Sequence, residues 1–149
     1  MDAAIRKLIL NLIDGHSVLT LATLREDGWP QATAVAYASA DMTLFVATGA
    51  DSQKLRNIRR SGKVSITINP AVPDWGRLQG LSMAAAAEVI ESRADAQQAA
   101  RLLKKRFPAL AEFSDLERDG GWAFLRIVPK IVSVIDYTKG FGHTLLVKL

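Results

Sequence analysis

Strand-like runs follow one another at short intervals along this chain, joined by tight turns. Val18 to Leu24 is followed by Glu26-Asp27-Gly28 and then by a run from Pro30 to Tyr37. An Asp-Gly pair between two such runs is a hairpin signal, because glycine reaches positive φ without steric cost. Ser39 to Asp41 turns the chain again, into a run at 43–48. Val64, Ile66 and Ile68 then alternate with Ser65, Thr67 and Asn69, the period of a half-buried strand. Short links of this kind join antiparallel neighbours.

The second half continues the pattern with longer strands. Leu78 to Ser92 reads as one strand through the alternation of Leu81, Met83 and Val89, although Ala84–Ala87 favours helix on propensity alone. Trp122 to Tyr137 is another, bent or at an edge where Pro129 interrupts it. A loop from Thr138 to His143 leads to a short final strand, Thr144 to Lys148. Pro70 to Arg77 is a loop with two prolines. Helices are fewer. Residues 2–14 place Ile5, Leu8, Ile9, Leu12 and Ile13 on one face, with Asp2 as cap and Gly15 as stop. Residues 93–106 turn Ala94, Ala99, Ala100, Leu102 and Leu103 inward, with Arg101, Lys104, Lys105 and Arg106 outward. Phe107-Pro108 breaks that helix, a short one follows to about Leu116, and Asp119-Gly120-Gly121 is a turn. The expectation is a mainly β protein with α elements: an antiparallel barrel of six or seven strands with flanking helices. Closure of long strands into a barrel also removes exposed edges.

A helix at 52–61 interrupts the succession of strands. Leu44 to Ala47 is a buried strand, and Gly49 to Asp51 breaks it. Ser52 is then the N-cap, with Leu55 and Ile58 inside and Gly62 as the stop. Lys54 falls in the first turn, where the macrodipole already carries its positive end and a cation is mildly unfavourable. A bound anion reverses that sign. The hydroxyls of Thr48 and Ser52, the free N–H groups and the Lys54 ammonium together form a phosphate cradle. The alternative is a solvated lysine on an ordinary capped helix.

Composition removes several function classes. The 149 residues suit one domain, 1–149, and 49% hydrophobic content is enough for a full core. There is no cysteine, which excludes disulfides, thiolate metal sites and cysteine nucleophiles. Two histidines, His16 and His143, stand 127 positions apart and make a zinc site improbable. His16 reads as a surface or capping residue. No apolar run reaches the roughly 20 residues of a membrane span. Met1 to Lys7 lacks the form of a signal peptide, and the cytoplasm is the expected location. The net charge of +4 suits anionic ligands, but the basic residues are spread along the chain and only 7% of residues are aromatic, so nucleic acid is not the expected partner.

Four stretches, in order, resemble the pyridoxamine 5′-phosphate oxidase-like flavin-binding split barrels, including their general stress protein branch. They are Leu19-Thr20-Leu21-Ala22-Thr23 with Asp27-Gly28-Trp29-Pro30; Phe45-Val46-Ala47-Thr48 with Ser52-Gln53-Lys54 and Asn57-Ile58; Trp75 with Gly80-Leu81-Ser82-Met83 and Ala87-Glu88-Val89; and Pro129-Lys130-Ile131 through Asp136-Tyr137-Thr138-Lys139-Gly140-Phe141-Gly142-His143-Thr144. The resemblance implies a split barrel and an FMN whose phosphate sits at Thr48, Ser52 and Lys54, beside Ala47 and Gln53. It implies that the 30–37 strand, with Thr33 and Val35, lies along the flavin, and that Gln79 or Ser82 meets a polar edge of the ring. It also implies a homodimer with cofactor sites at the subunit interface, Lys139 and Phe141 covering the partner's flavin. The oxidases carry an arginine and a lysine on the second strand; the matching positions here are Thr33 and Ala38. Vitamin B6 oxidation is therefore not expected. The implied activity is a flavin-dependent oxidoreductase acting on an unnamed small molecule. The alternative is a non-catalytic module that binds flavin, a 5-deazaflavin coenzyme or haem, with His16 or His143 as a haem ligand. For the tail, the alternative is a tight turn whose Phe141 plugs the barrel end.

Overall fold

The computed structural model of the chain describes residues 1–71, 74–112 and 121–149. The first helix, α1, spans Ala3–Asp14. The Asp2 carboxylate accepts the Ala4 N–H at 3.0 Å, and Gly15 closes the other end by donating to the Asn11 carbonyl. Ile9, Leu12 and Ile13 are buried. His16 adds a second C-terminal cap: its Nδ1 lies 2.7 Å from the Leu12 carbonyl oxygen, one of the acceptors that a helix end leaves open.

The strands are β1 Val18–Leu24, β2 Pro30–Ala36, β3 Ala38–Ala40, β4 Thr43–Gly49, β5 Lys63–Ile68, β6 Gln79–Val89, β7 Trp122–Asp136 and β8 Thr144–Lys148. Helix α2 (Gln53–Arg60) separates β4 from β5, and α3 (Arg93–Arg106) separates β6 from β7. All pairings are antiparallel, in the order β2-β1-β5-β6-β7-β4-β3, with β8 also on β7. This is the split-barrel architecture expected from the sequence, mainly β with flanking helices. β7 organises it. One of its edges carries β6, and the other carries β4 along 122–127 and β8 along 131–135. Pro129 falls between those two spans, at a register shift opposite Ala84 and Ala85. Its missing N–H thus lies where the ladder is already interrupted.

Eight strands are present rather than six or seven because Tyr37 divides the second run. Its ring is buried, its hydroxyl donates to the Ile13 carbonyl at 2.6 Å, and its N–H bonds the Ser17 carbonyl. The strand ends at Ala36 and β3 begins beyond it. Gly62 is not the stop of α2. That helix ends at Arg60, where the Ser61 N–H reaches the Asn57 carbonyl at 2.8 Å. Gly62 is required one step later, because a Cβ there would meet the Ala87 carbonyl oxygen at 2.6 Å. β6 ends at Val89, and Ser92 caps α3 instead. The loop at 70–77 contains a 3₁₀ turn, Trp75–Arg77, and another, Pro108–Glu112, follows Phe107. The continuation to Leu116 and the Asp119-Gly120 turn lie outside the described residues.

The apolar interior has two parts. The larger lies inside the barrel, among Leu19, Leu21, Leu44, Val46, Ile66, Leu81, Met83, Leu125 and Val132, with α1 and α2 packed on it. The smaller lies on the opposite face of β4, where Phe45 and Ala38 meet Phe124 and the Ala99, Ala100 and Leu103 face of α3.

Candidate functional site

The barrel is split beside β2. That strand pairs only with β1, and it approaches β4 without joining it in the sheet. On its inner side Gln31, Thr33 and Val35 are half-buried. The facing wall is the end of β4 and the start of α2.

Local sequence builds that wall. Ser52 caps α2 by accepting the Leu55 N–H at 3.3 Å. The Thr48 hydroxyl donates to the same oxygen at 3.2 Å. Ser52 keeps its own hydroxyl proton for another acceptor. Lys54, half-buried in the first turn, has no ion-pair partner among the described residues. On β2, the Thr33 hydroxyl oxygen is buried with no hydrogen-bond partner. Leaving such a group unbonded costs about 1–3 kcal/mol. These are the groups a phosphorylated ligand with a polar body requires: a cation, donors at a helix start and one waiting hydroxyl.

A buried polar network ties α2 to β1 and β2. Asn57, 2% exposed, donates to the Thr23 hydroxyl at 2.9 Å and to Gln31 Oε1 at 3.5 Å, and it accepts from Gln53 Nε2 at 2.8 Å. The helix period predicts Leu55 and Ile58 as the inner face, and Asn57 is buried beside them. The Gln53–Asn57 spacing, i to i+4, was the available sign that a polar pair shares that side.

The remaining expected site residues lie elsewhere. Ala47 points away from Thr48 and packs on the α3 cluster. Ala38 is buried in the same cluster. Ser82 is on the outer face of the sheet, in register with Thr67 and Ser133, whereas Thr33 is on the inner face. One subunit therefore cannot direct both at one ligand in the slot. Gln79 donates to Asp136 Oδ1 at 3.1 Å. Asp136 is itself buried and anchors the tail loop, accepting from the Thr138 N–H and hydroxyl, with Lys139 Nζ at 3.9 Å. Burial pushes its pKa up, but the bonds from Thr138 and Gln79 and the Lys139 charge outweigh that and hold it below the ordinary carboxylate value. An Asp two residues before a Thr was a legible Asx-turn signal.

Phe141 does not plug the barrel. It is 85% exposed, its ring 5.2 Å from that of Tyr137, between Gly140 and Gly142, both at positive φ. The Trp75 turn packs beside the Tyr137–Lys139 turn, and Trp75 is also exposed. The expected residues thus form two groups, one in the slot and one on the outer face and tail.

The outer face is flat in chemistry. One row across six strands reads Ala34, Thr20, Thr67, Ser82, Ser133, Leu146, and the next reads Ala32, Ala22, Ser65, Ala84, Ile131, Lys148. Lys148 is the one charge in the two rows.

A sequence profile described as pyridoxamine 5′-phosphate oxidase matches residues 4–136. The chain belongs to that family. Solved structures share the fold of this member of the pyridoxamine 5′-phosphate oxidase family. A conserved hypothetical protein from Mycobacterium tuberculosis is 27% identical, with a TM-score of 0.79 over 96% of this chain and 90% of that one. General stress protein 26 from Bacillus anthracis is 20% identical, with a TM-score of 0.70 over 97% of this chain and 98% of that one. A heme binding protein from Mycobacterium smegmatis is 18% identical, with a TM-score of 0.82 over 99% of this chain and 59% of that one. No curated protein matches in sequence. Among the described residues no helix is long and apolar enough to cross a membrane, and no three acidic or histidine side chains gather as a metal site.

Proposed function

We propose that this member of the pyridoxamine 5′-phosphate oxidase family binds FMN in the slot between β2 and α2, and acts as a homodimeric flavin-dependent oxidoreductase on a small molecule. The observation that carries the reading is the Thr48–Ser52–Lys54 group at the start of α2, in a fold whose neighbouring strand β2 holds a buried, unbonded Thr33 hydroxyl. Lys54, the Ser52 hydroxyl and the first N–H groups of α2 hold the phosphate, and Thr33 bonds a polar atom of the ribityl chain or ring. Val35 gives the ring an apolar surface. Bound flavin supplies hydride or electron transfer, so the protein's part is to position it and exclude water.

Pyridoxamine 5′-phosphate is not the proposed substrate. Thr33 and Ala38 stand where the oxidases are expected to carry cations, and Ala38 is buried against α3, on the far side of β4 from the slot. The second copy completes the site, bringing the Ser82 face and the Lys139–Phe141 tail that one chain directs away from its own slot. A sheet face six strands wide, with Lys148 as the one charge in two adjacent rows, supports that pairing.

A haem-binding reading is favoured by one observation, the fold shared with the heme binding protein from Mycobacterium smegmatis. In this chain the Nδ1 of His16 is bonded to the Leu12 carbonyl, which leaves its Nε2 as a candidate ligand atom, and exposed His143 in the tail is the other imidazole.

Titration of the purified protein with FMN, and separately with haemin, tests both. The expected result is saturable quenching of flavin fluorescence, weakened by Lys54→Ala without loss of melting temperature. A charge-assisted phosphate contact is worth about 1.5–3 kcal/mol, so the loss is about tenfold or more. A haem Soret band with no flavin quenching overturns the flavin reading.

A further inference from the structure

A charged cleft lies on the side of α2. It has a volume of about 450 Å³ and is bounded by the β1–β2 turn, Arg25 to Asp27, on one side and by Gln53, Arg56, Asn57 and Arg60 on the other. Helix α2 carries three arginines, and their treatment differs. Arg59, facing away from the cleft, is paired with Glu91 at 3.1 Å. Arg56 and Arg60 have no carboxylate partner among the described residues. They are instead held by neutral acceptors. Arg56 bonds the Asp51 carbonyl and Gln53 Oε1, the latter at 2.9 Å, and Arg60 bonds the Leu24 carbonyl at 2.8 Å. Two like charges at i and i+4 repel, and here both are fixed towards one cavity.

The opposite wall is built to match. Asp27, the nearest acid, is neutralised by a fork of bonds from Arg25 at 2.8–3.2 Å and by the Trp29 N–H. Glu26 lines the mouth and is the one carboxylate there without an ion pair. The floor is the Asn57 amide, buried and bonded to Thr23, at a helix position that would otherwise be apolar. Guanidinium groups that are ordered, partly bonded and uncompensated retain several N–H donors each, and their planar fork matches phosphate and carboxylate oxygens.

We infer that Arg56 and Arg60 form a binding site for a ligand carrying two neighbouring anionic groups, phosphate or carboxylate, separate from the Ser52–Lys54 wall. The inference does not rest on the flavin reading. The dianion bridges the two guanidiniums and relieves their repulsion, while Asn57 sets the depth of the cleft.

The test is calorimetric titration of the full chain with pyrophosphate and, separately, with citrate, at low and high salt. In Lys54→Ala, which removes the cation of the helix start, one site per chain is expected to remain, weakening as salt rises. The double variant Arg56→Gln, Arg60→Gln is expected to lose about tenfold or more in affinity with unchanged melting. Arg59→Gln is expected to bind within about twofold of the parent. Stronger pyrophosphate binding assigns the site to phosphate esters, and stronger citrate binding to carboxylates; both support it. Failure of both probes to bind overturns the inference. So does a loss in Arg59→Gln equal to that of the double variant, which reports only the general field of the helix. Binding abolished by Lys54→Ala and kept by the double variant places the anion at the helix start and overturns it as well.

Discussion

Thr33 concentrates the question of function in one oxygen atom. A buried hydroxyl without a partner destabilises the empty protein, so removing it is expected to help or do nothing. Thr33→Val keeps the shape and deletes the hydroxyl. Its melting temperature without ligand should equal or exceed that of the parent, while FMN affinity falls by about 0.5–1.5 kcal/mol, a few-fold to about tenfold. Reduced stability in the empty variant would show that the hydroxyl already has a partner. Asp136 gives the opposite case, a buried acid whose bonds are made. Because its folded pKa lies below the unfolded value, its contribution is present above the ordinary carboxylate range, about 3.9, and is lost as pH falls through the folded value. The stability difference between the parent and Asp136→Asn should therefore be constant near neutrality and shrink below about pH 4. A difference that persists unchanged under acid conditions would mean the charge is not what anchors the tail.

At the scale of elements, legibility followed whether the deciding contact was local. The α1 and α3 boundaries and the cap at Ser52 rest on neighbours within one turn, and the sequence shows them directly. The β3 strand does not show, because the break at Tyr37 is made by a hydroxyl reaching a carbonyl 24 positions earlier. The Ala84–Ala87 run is helix by propensity and strand in fact, since β5 and β7 flank it on both edges. The slot residues Thr48, Ser52 and Lys54 could be grouped from spacing, but the side of the sheet that Ser82 or Ala47 faces depends on register. Tyr37 also ties α1 to the barrel, and burial drives its pKa well above the ordinary value, so it stays a hydrogen-bond donor at every working pH. Tyr37→Phe leaves the Ile13 carbonyl unbonded and should cost about 1–2 kcal/mol of unfolding free energy, measurable by denaturant titration. A loss near zero would show that the hydroxyl bond is incidental and that ring packing alone positions α1.

For the whole molecule, the arrangement of charge says more than its total. The chain carries +4, yet the outer face of its sheet offers two six-residue rows with a single charge between them. A face of alanine, serine and threonine has no need to be apolar for folding, since the core lies on the other side. What it provides is a surface that a second copy can approach closely without stripping water from ions. Two-fold pairing is also the commonest closed arrangement, and it makes the same face serve both partners. Ala84 stands near the middle of the rows, exposed in the single chain, so Ala84→Arg should leave the fold almost untouched, within about 0.5 kcal/mol. In a dimer formed through this face the same change buries a guanidinium without a partner. Light scattering is expected to give twice the 16.2 kDa of one chain for the parent and one chain's mass for Ala84→Arg. On the proposed dimer, in which the tail over each slot comes from the other copy, FMN binding should weaken in parallel. A monomeric parent removes the dimer. A dimeric Ala84→Arg that binds FMN normally moves the interface off this face, and with it the roles given to Ser82 and Phe141.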